Sequence, residues 1–302
     1  MKTKKQSLTT GKKNSFAIFM MLSPSVFLLA VISIYPFCWL FRYVCYDYNG
    51  FQAYFSGAYN FVRMLSDSLF WQSVVHTFEY AFFKIILIVP LSLLAAVLLN
   101  QRIKGSNLFR GIYFMPTVIS SAIYSLIFSF IFAVFNGPLN IFLQDLHLTT
   151  NPIDWLGDSR FVMTAIIIAA IWGGLGNYMV LFVSGLTSIP SEIYESCKID
   201  GAGGVKTFFY ITLPMLSPIL KTILLLAITG AFRDYESILV LTNGGPNNRS
   251  HVMFSFIYNL MFAPESMPQI GYGTLLSIVA ALIIGVVTAI YLYFARRLDD
   301  VV

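Results

Sequence analysis

Charge is what this sequence holds least of: Asp, Glu, Lys and Arg make up 11% of its residues, against roughly 25% in an average soluble domain. At 57% hydrophobic it carries more apolar surface than a soluble core of this size could hide, which excludes an ordinary water-soluble enzyme. Histidine is nearly absent. His76, His147 and His251 stand far apart and form no His-Glu-x-x-His helix for a metal. The three cysteines, Cys38, Cys45 and Cys197, have neither a metal-ligand spacing nor an even number for a disulfide framework. A Gly-rich phosphate loop is missing too, since Gly11-Lys12-Lys13 lacks the upstream glycine. Val183-Ser184-Gly185 follows Phe182 where an intramembrane serine protease needs glycine, so an intramembrane hydrolase is not expected. The net charge of +5 does not point to nucleic acid, because the 19 basic residues are scattered and no stripe organises them.

What the sequence has is long apolar runs. A bilayer-spanning helix needs about 20 apolar residues, because only a helix satisfies its own backbone in hydrocarbon. Ala17 to Phe41, Gly111 to Phe135, Phe161 to Thr187 and Gly271 to Phe294 contain no charged side chain. Two more runs qualify with a few charges. Thr77 to Leu99 carries Glu79 and Lys84 near one end, where long side chains snorkel to the interface. Leu216 to Leu241 carries Lys221 at its start and Arg233, Asp234 and Glu236 well inside. Six spans are expected, each a continuous helix.

Lysine and arginine placement gives the orientation. With an inside N-terminus, Lys2, Lys4, Lys5, Lys12 and Lys13 flank the first span inside, followed by Arg102, Lys104 and Arg110, then Lys198, Lys206 and Lys221, then Arg296 and Arg297. Only Arg42, Arg63, Arg160 and Arg249 fall outside, so both termini are expected in the cytoplasm. The first span imitates a signal peptide but exceeds an h-region and lacks a small-x-small cleavage site, so it reads as a retained helix. The outer segments Val44 to His76 and Asn136 to Arg160 are too short for separate domains and read as caps over the bundle.

The connection Ser188 to Met215 is 28 residues long, where loops between neighbouring helices usually take only a few. Pro190 suits a first helical turn, Ser191 or Ser188 a cap, Glu192 and Glu195 the positive end of the helix dipole, and Gly201 a C-terminal stop. A second short helix, Gly204 to Thr212, is expected to break at Leu213-Pro214. On these residues alone a solvated amphipathic helix serves as well as a docking element.

Glu195-Ser196-Cys197, then Gly201, then Ile211-Thr212-Leu213-Pro214 resembles the EAA loop of the permease subunits of binding-protein-dependent ABC importers. Ser196 and Cys197 stand where two alanines are usual, and both are small. The string from Ile189-Pro190 to Asp200-Gly201-Ala202, the stretch Leu241-Thr242-Asn243-Gly244-Gly245-Pro246, and Trp172 with Gly176, Met179, Gly185 and Leu186 are similar to the carbohydrate-uptake branch. The resemblance implies an all-α integral membrane protein of type I importer permease fold. Its parts would be a basic tail (1–14), the first transmembrane helix (15–43), an outer loop (44–72), the permease transmembrane domain (73–294, with a coupling loop at 188–215) and a short tail (295–302). It implies a second permease, two ATP-binding cassette subunits that hold the ATP and Mg, an external sugar-binding protein and a sugar substrate. This chain would hold no cofactor and would sit in a bacterial or archaeal cell membrane. Coupling to the ATPases falls to Glu192, Glu195, Ser196, Cys197, Asp200, Gly201, Ala202, Leu213 and Pro214.

The charges in the fifth span leave two readings open. Counted from Leu216 at about 1.5 Å per residue, Arg233 lies roughly 25 Å along the helix, in the outer part of the bilayer. Charges cost about 2.5 to 3.5 kcal/mol each near the bilayer centre, so these should face water or a partner. Arg233, Asp234, Tyr235, Glu236 and Asn243 either line a sugar path, with Tyr235 as a stacking face, or Arg233 and Glu236 pair the two permeases. A stand-alone transporter driven by an ion gradient is the remaining alternative. It would be expected to carry acidic residues deep in several spans, whereas four spans here have none.

Overall fold

A computed structural model describes residues 11–100, 105–264 and 266–297. Lys2, Lys4, Lys5, Arg102 and Lys104, used above for orientation, lie outside the described residues, as do most of both tails. Two compact units divide the chain, one formed by 1–65 with 263–276 and the other by 66–262 with 277–302.

In the first unit, α1 (Gly11–Leu29) passes through one π-helical turn (Ala30–Ile34) into α2 (Tyr35–Phe41) and a 3-10 turn (Arg42–Cys45). Residues Ile18–Cys45 make an apolar stretch long enough to cross a membrane. The chain then reverses in a hairpin of β1 (Tyr46–Tyr48) and β2 (Ala53–Phe55), paired Tyr46 to Phe55 and Tyr48 to Ala53. Asn49 Oδ1 accepts the Phe51 and Gln52 amides, which closes the turn. Beyond it lies α3 (Tyr59–Ser66), whose buried Asn60 amide donates to Val44 O and Tyr46 O. Arg63 donates to Gln269 at 2.6 Å and lies 3.9 Å over the Tyr272 ring.

The second unit is a helical bundle. It contains α4 (Ser68–Asn100), α5 (Ser106–Val118), α6 (Ser121–Ile131), α7 (Pro138–Asp145), α8 (Val162–Ser188), α9 (Ser191–Ile199), α10 (Gly204–Thr207), α11 (Leu213–Met215), α12 (Ser217–Arg233), α13 (Glu236–Leu241), α14 (Met253–Phe262) and most of α15 (Ile270–Arg297). α8 packs against α4, α5 and α12. Glycines set how closely it does so. A Cβ at Gly176 would run into the backbone of Tyr113 and Phe114 on α5, and one at Gly185 into Leu216 and Ile219. Where lipid tails are as apolar as leucine, such close approach is what holds helices together. One apolar cluster gathers Tyr80, Tyr124, Phe132, Ile166 and Ile238. A second gathers Ile88, Met179, Phe182, Leu216 and Ile223. Ser92 ties α4 to the Leu175 carbonyl at 3.1 Å, and Thr77 receives the Met253 amide at 2.9 Å.

Among the described residues, four helices are long and apolar enough to cross a membrane, or six spans if each of two bent pairs counts as one. The expectation of six continuous helices is corrected at those pairs. The third span breaks into α5 and α6, turned by 100°. Pro116 removes an amide from the last turn of α5, and Ile119 leaves the helix in an extended conformation with its N–H on Pro116 O. Ser120 then accepts the amides of Ile123 and Tyr124, so the break leaves the start of α6 satisfied. The fifth span begins after a 69° turn at Leu216, ahead of Pro218, two residues beyond the break expected at Leu213-Pro214. It also ends early: α12 stops at Arg233 and α13 starts anew at Glu236. α4 begins at Ser68, nine residues before the expected start at Thr77.

Replacing Gly176 with leucine should destabilise the chain by about 1 to 3 kcal/mol, because the new side chain meets backbone that cannot move aside. Gly285→Ala, which enters open space, should cause no loss. Thermal unfolding of the detergent-purified chain compares the two.

Candidate functional site

The long connection forms a compact arm. α8 ends at Ser188, and Ile189 and Pro190, both extended, lead straight into α9. Neither Ser188 nor Ser191 caps that helix: no side chain does, and Ser188 Oγ instead donates to Gly185 O at 2.7 Å. Glu192 in the first turn and Lys198 in the last complement the helix dipole. The C-terminus closes as the sequence leads one to expect. Gly201 adopts a left-handed φ of 72°, its amide bonds Lys198 O at 3.2 Å, and the Ala202 amide bonds Cys197 O at 2.9 Å. This pair of bonds is the Schellman closure, which only a residue without Cβ adopts at no strain.

The arm has two faces. Cys197 is buried, and Tyr194 and Ala202 are half-buried. Glu192, Glu195, Ser196, Asp200 and Gly201 are exposed, and Ile199 at the tip is 86% exposed. Ser196 Oγ bonds Glu192 O within the helix. From Gly204 the chain runs through α10, a π-helical turn (Phe208–Thr212) and α11, where Leu213 is half-buried and Pro214 exposed. Thr212 Oγ1 lies 3.4 Å from the Tyr194 hydroxyl, joining the two halves of the arm.

At the far end of α12 from the arm, the charges do not act as one cluster. Asp234 turns into the bundle, where its Oδ2 meets Lys84 Nζ at 2.7 Å and the Tyr80 hydroxyl at 2.5 Å, and its Oδ1 accepts from Ser237 at 3.1 Å. Its side chain is 14% exposed and that of Lys84 12%. Arg233 turns the other way. It borders a recess of about 470 Å³ lined by Asn177, Tyr178, Leu226, Thr229 and Gly230, and among the described residues nothing pairs with its guanidinium. Tyr235 packs against Tyr258, ring centres 5.8 Å apart. Exposed Glu236 accepts a hydrogen bond from Ser121 at the start of α6.

The segment after α13 is tightly knit. Asn243, Gly244, Asn247 and Asn248 all have positive φ, and the Gly245–Pro246 bond is cis. Ser250 bonds Thr242 Oγ1 and Gly245 O, Asn243 Oδ1 accepts from Asn259, and Arg249 grips Glu79 with two bonds of 2.8 Å. Gly244 lies so close to the His251 ring that a Cβ would overlap it. Burial, with His76 alongside, holds the His251 imidazole down at about 4, so it stays neutral.

Comparison with known proteins decides what this fold belongs to. The family model described as the binding-protein-dependent transport system inner membrane component matches residues 88–300. The lactose transport system permease protein LacF of Rhizobium radiobacter is 31% identical over 92% of this chain and 94% of its own length. The trehalose/maltose transport system permease protein MalF of Thermococcus litoralis is 33% identical over 82% of this chain and 81% of its own. The chain belongs to this family of inner-membrane permeases. A bacterial ABC transporter that imports the acidic polysaccharide alginate supplies a chain of the same fold, with a TM-score of 0.82 at 20% identity over 94% of this chain and 96% of that one.

The permease is thus a multi-pass membrane protein, and its charges obey that setting. Glu79 and Lys84 do not snorkel to the interface; they pair with Arg249 and Asp234 from the other end of the chain. Sequence reading missed Lys84 and Tyr80 as partners of Asp234, and Asn177, Tyr178 and Thr229 as the walls around Arg233. The spacing of Tyr80 and Lys84 by four, one face of one helix, was the available signal for the first. Loss of one member of the buried pair strands the other, which typically costs about 3 to 5 kcal/mol. Lys84→Met and Asp234→Leu should each destabilise the purified permease by that order. The double variant should lose less than either one. Strictly additive losses in thermal unfolding would mean the two side chains do not support each other.

Proposed function

We propose that this permease is the membrane path of an ATP-driven sugar importer, an oligosaccharide or glycoside being the cargo. It would pair with a second permease and dock on two ATP-binding cassette subunits, which hold the ATP and Mg. An external binding protein would deliver the sugar. The sugar class is carried by the relatives, whose names specify lactose and trehalose/maltose. Both termini and the α9 arm lie on the cytoplasmic side in this reading, where the lysine and arginine excess falls.

The observation that carries the reading is the arm. A helix closed by a Schellman turn, rooted through buried Cys197 and offering Glu192, Glu195, Asp200 and a bare Ile199 to the outside, suits docking into a groove on a partner. Ser196, Gly201, Ala202, Leu213 and Pro214 keep its shape. ATPase movement would enter at this arm and pass to α8 and α12. Around Arg233, the recess with Asn177, Tyr178 and Thr229 offers donors and acceptors suited to sugar hydroxyls. Asp234 acts there through position: tied to Lys84, it fixes the end of α12 from which Arg233 projects. Tyr235, Glu236 and Asn243 continue the same path toward the segment after α13.

Glu195→Lys and Gly201→Asp test the arm. Nothing lies within 4 Å of a Cβ at Gly201, so a side chain costs only the roughly 1 to 2 kcal/mol of left-handed backbone. Both variants should insert and assemble with the second permease, yet lose the ATPases and ATP-driven uptake. ATPase pull-down and sugar uptake are measured on the same membranes, and normal values for both in both variants would defeat the assignment. Arg233→Ala tests the recess. It should weaken uptake with assembly intact, whereas dissociation of the two permeases would make Arg233 a pairing residue.

A further inference from the structure

Where the arm meets the end of α4, two hollows adjoin. One, of about 430 Å³, is lined on its polar side by Asn100, Tyr194, Lys198, Thr207 and Thr212. The other, of about 440 Å³, is an almost wholly apolar groove between Pro90, Leu93 and Leu94 on α4 and Val205 and Phe209 on the arm. Val97, Gly204 and Phe208 border both, so the two are continuous.

Their chemistry is that of an amphiphile. Lys198 is the one charged side chain lining either hollow, and among the described residues it has no ion-pair or hydrogen-bond partner. No carboxylate lines either hollow. The dimensions fit as well. From Pro90 to Asn100 α4 rises by roughly 15 Å, which is about half the roughly 30 Å hydrocarbon core of a bilayer. The groove therefore runs along one leaflet and opens, at the end of α4, onto a basic polar pocket. Basic pockets beside spanning helices are known sites for anionic lipid headgroups.

We propose that the joined hollows hold one anionic phospholipid, its phosphate at Lys198, Asn100 and Thr207 and one acyl chain between α4 and Val205 and Phe209. This goes beyond the import reading, since lipid seated there touches α4, α9 and α10 together and sets where the arm stands. Coupling would then depend on the anionic lipid content of the membrane.

The test uses the full permease purified in detergent, incubated with dioleoyl phosphatidylglycerol or dioleoyl phosphatidylcholine, with retained lipid counted by native mass spectrometry. One phosphatidylglycerol per chain should be retained, favoured about fivefold over phosphatidylcholine, the effect of a single lysine near a phosphate. Lys198→Gln should bring the two lipids to parity. Leu94→Trp, on an exposed position that narrows the groove, should reduce retention of both. Unfolding temperatures matching the unaltered permease show that the variants are folded. Equal retention of both lipids, or a preference that survives Lys198→Gln, overturns the proposal. Displacement by millimolar inorganic phosphate, with Leu94→Trp having no effect, would make this an anion pocket and not a lipid site. Loss of the lipid on assembly with the second permease would make the groove a subunit interface and also overturn it.

Discussion

A carboxylate and an ammonium facing each other inside a charge-poor bundle are the constraint on which this permease depends. The Lys84–Asp234 pair is almost closed to solvent, and either charge alone would be costly there. The pair is affordable because Tyr80 and Ser237 fill the remaining positions around the carboxylate. Its structural effect is larger than its energy. To reach Lys84, the backbone at Asp234 leaves the helix in an extended conformation, so α12 must stop and α13 must start again. That stop sends Arg233 to one side and Asp234 to the other, which consecutive residues on an unbroken helix, 100° apart, would not achieve so completely.

The limits of the sequence follow from the range of the interactions. Gly201 is readable because a Schellman closure is local: both of its hydrogen bonds lie within six residues. The apolar spans are readable because backbone satisfaction in lipid depends on segment composition alone. Breaks are harder. Hydropathy is uninterrupted across Val118 to Ser121, and only Pro116 followed by Ser120 hints that the chain turns there by 100°. Pairing is harder still, since Lys84 and Asp234 are separated by 150 residues and Glu79 and Arg249 by 170. Without the fold, a lysine near a span end and an arginine in an outer loop each have an adequate solution of their own, snorkelling for one and water for the other. The fold rejects both solutions: Lys84 takes Asp234 as its partner and Arg249 takes Glu79.

Small residues give the arm its grip. Gly185 allows Leu216 and Ile219 to rest against the last turns of α8, and Leu186, Ile189, Tyr194 and Leu216 join one apolar cluster with Met179 and Phe182. The root of α9, the end of α8 and the bend before α12 are therefore one packed body. Interiors at this density transmit displacement and do not absorb it. A force applied at Glu195 or Ile199 has no soft joint to dissipate in before it reaches both spans, because Pro190 leaves no slack between α8 and α9.

From that body α12 extends as a rod of 17 residues, about 25 Å long, and its far end is the Arg233–Asp234 break. The two ends differ in kind. At Leu216 the helix is held by apolar contacts within the packed cluster that also holds the end of α8. At Asp234 it is held by a charge pair whose strength falls with distance in a medium of low polarity, so that end resists separation. The rod is therefore held at both ends, by packing at one and by charge at the other. Just before that charged end, Thr229, Gly230 and Arg233 face Asn177 and Tyr178 of α8 across the recess they share. In the proposed importer α12 would be the link between the arm and the recess, and the ion pair is what keeps the far end of that link in the bundle.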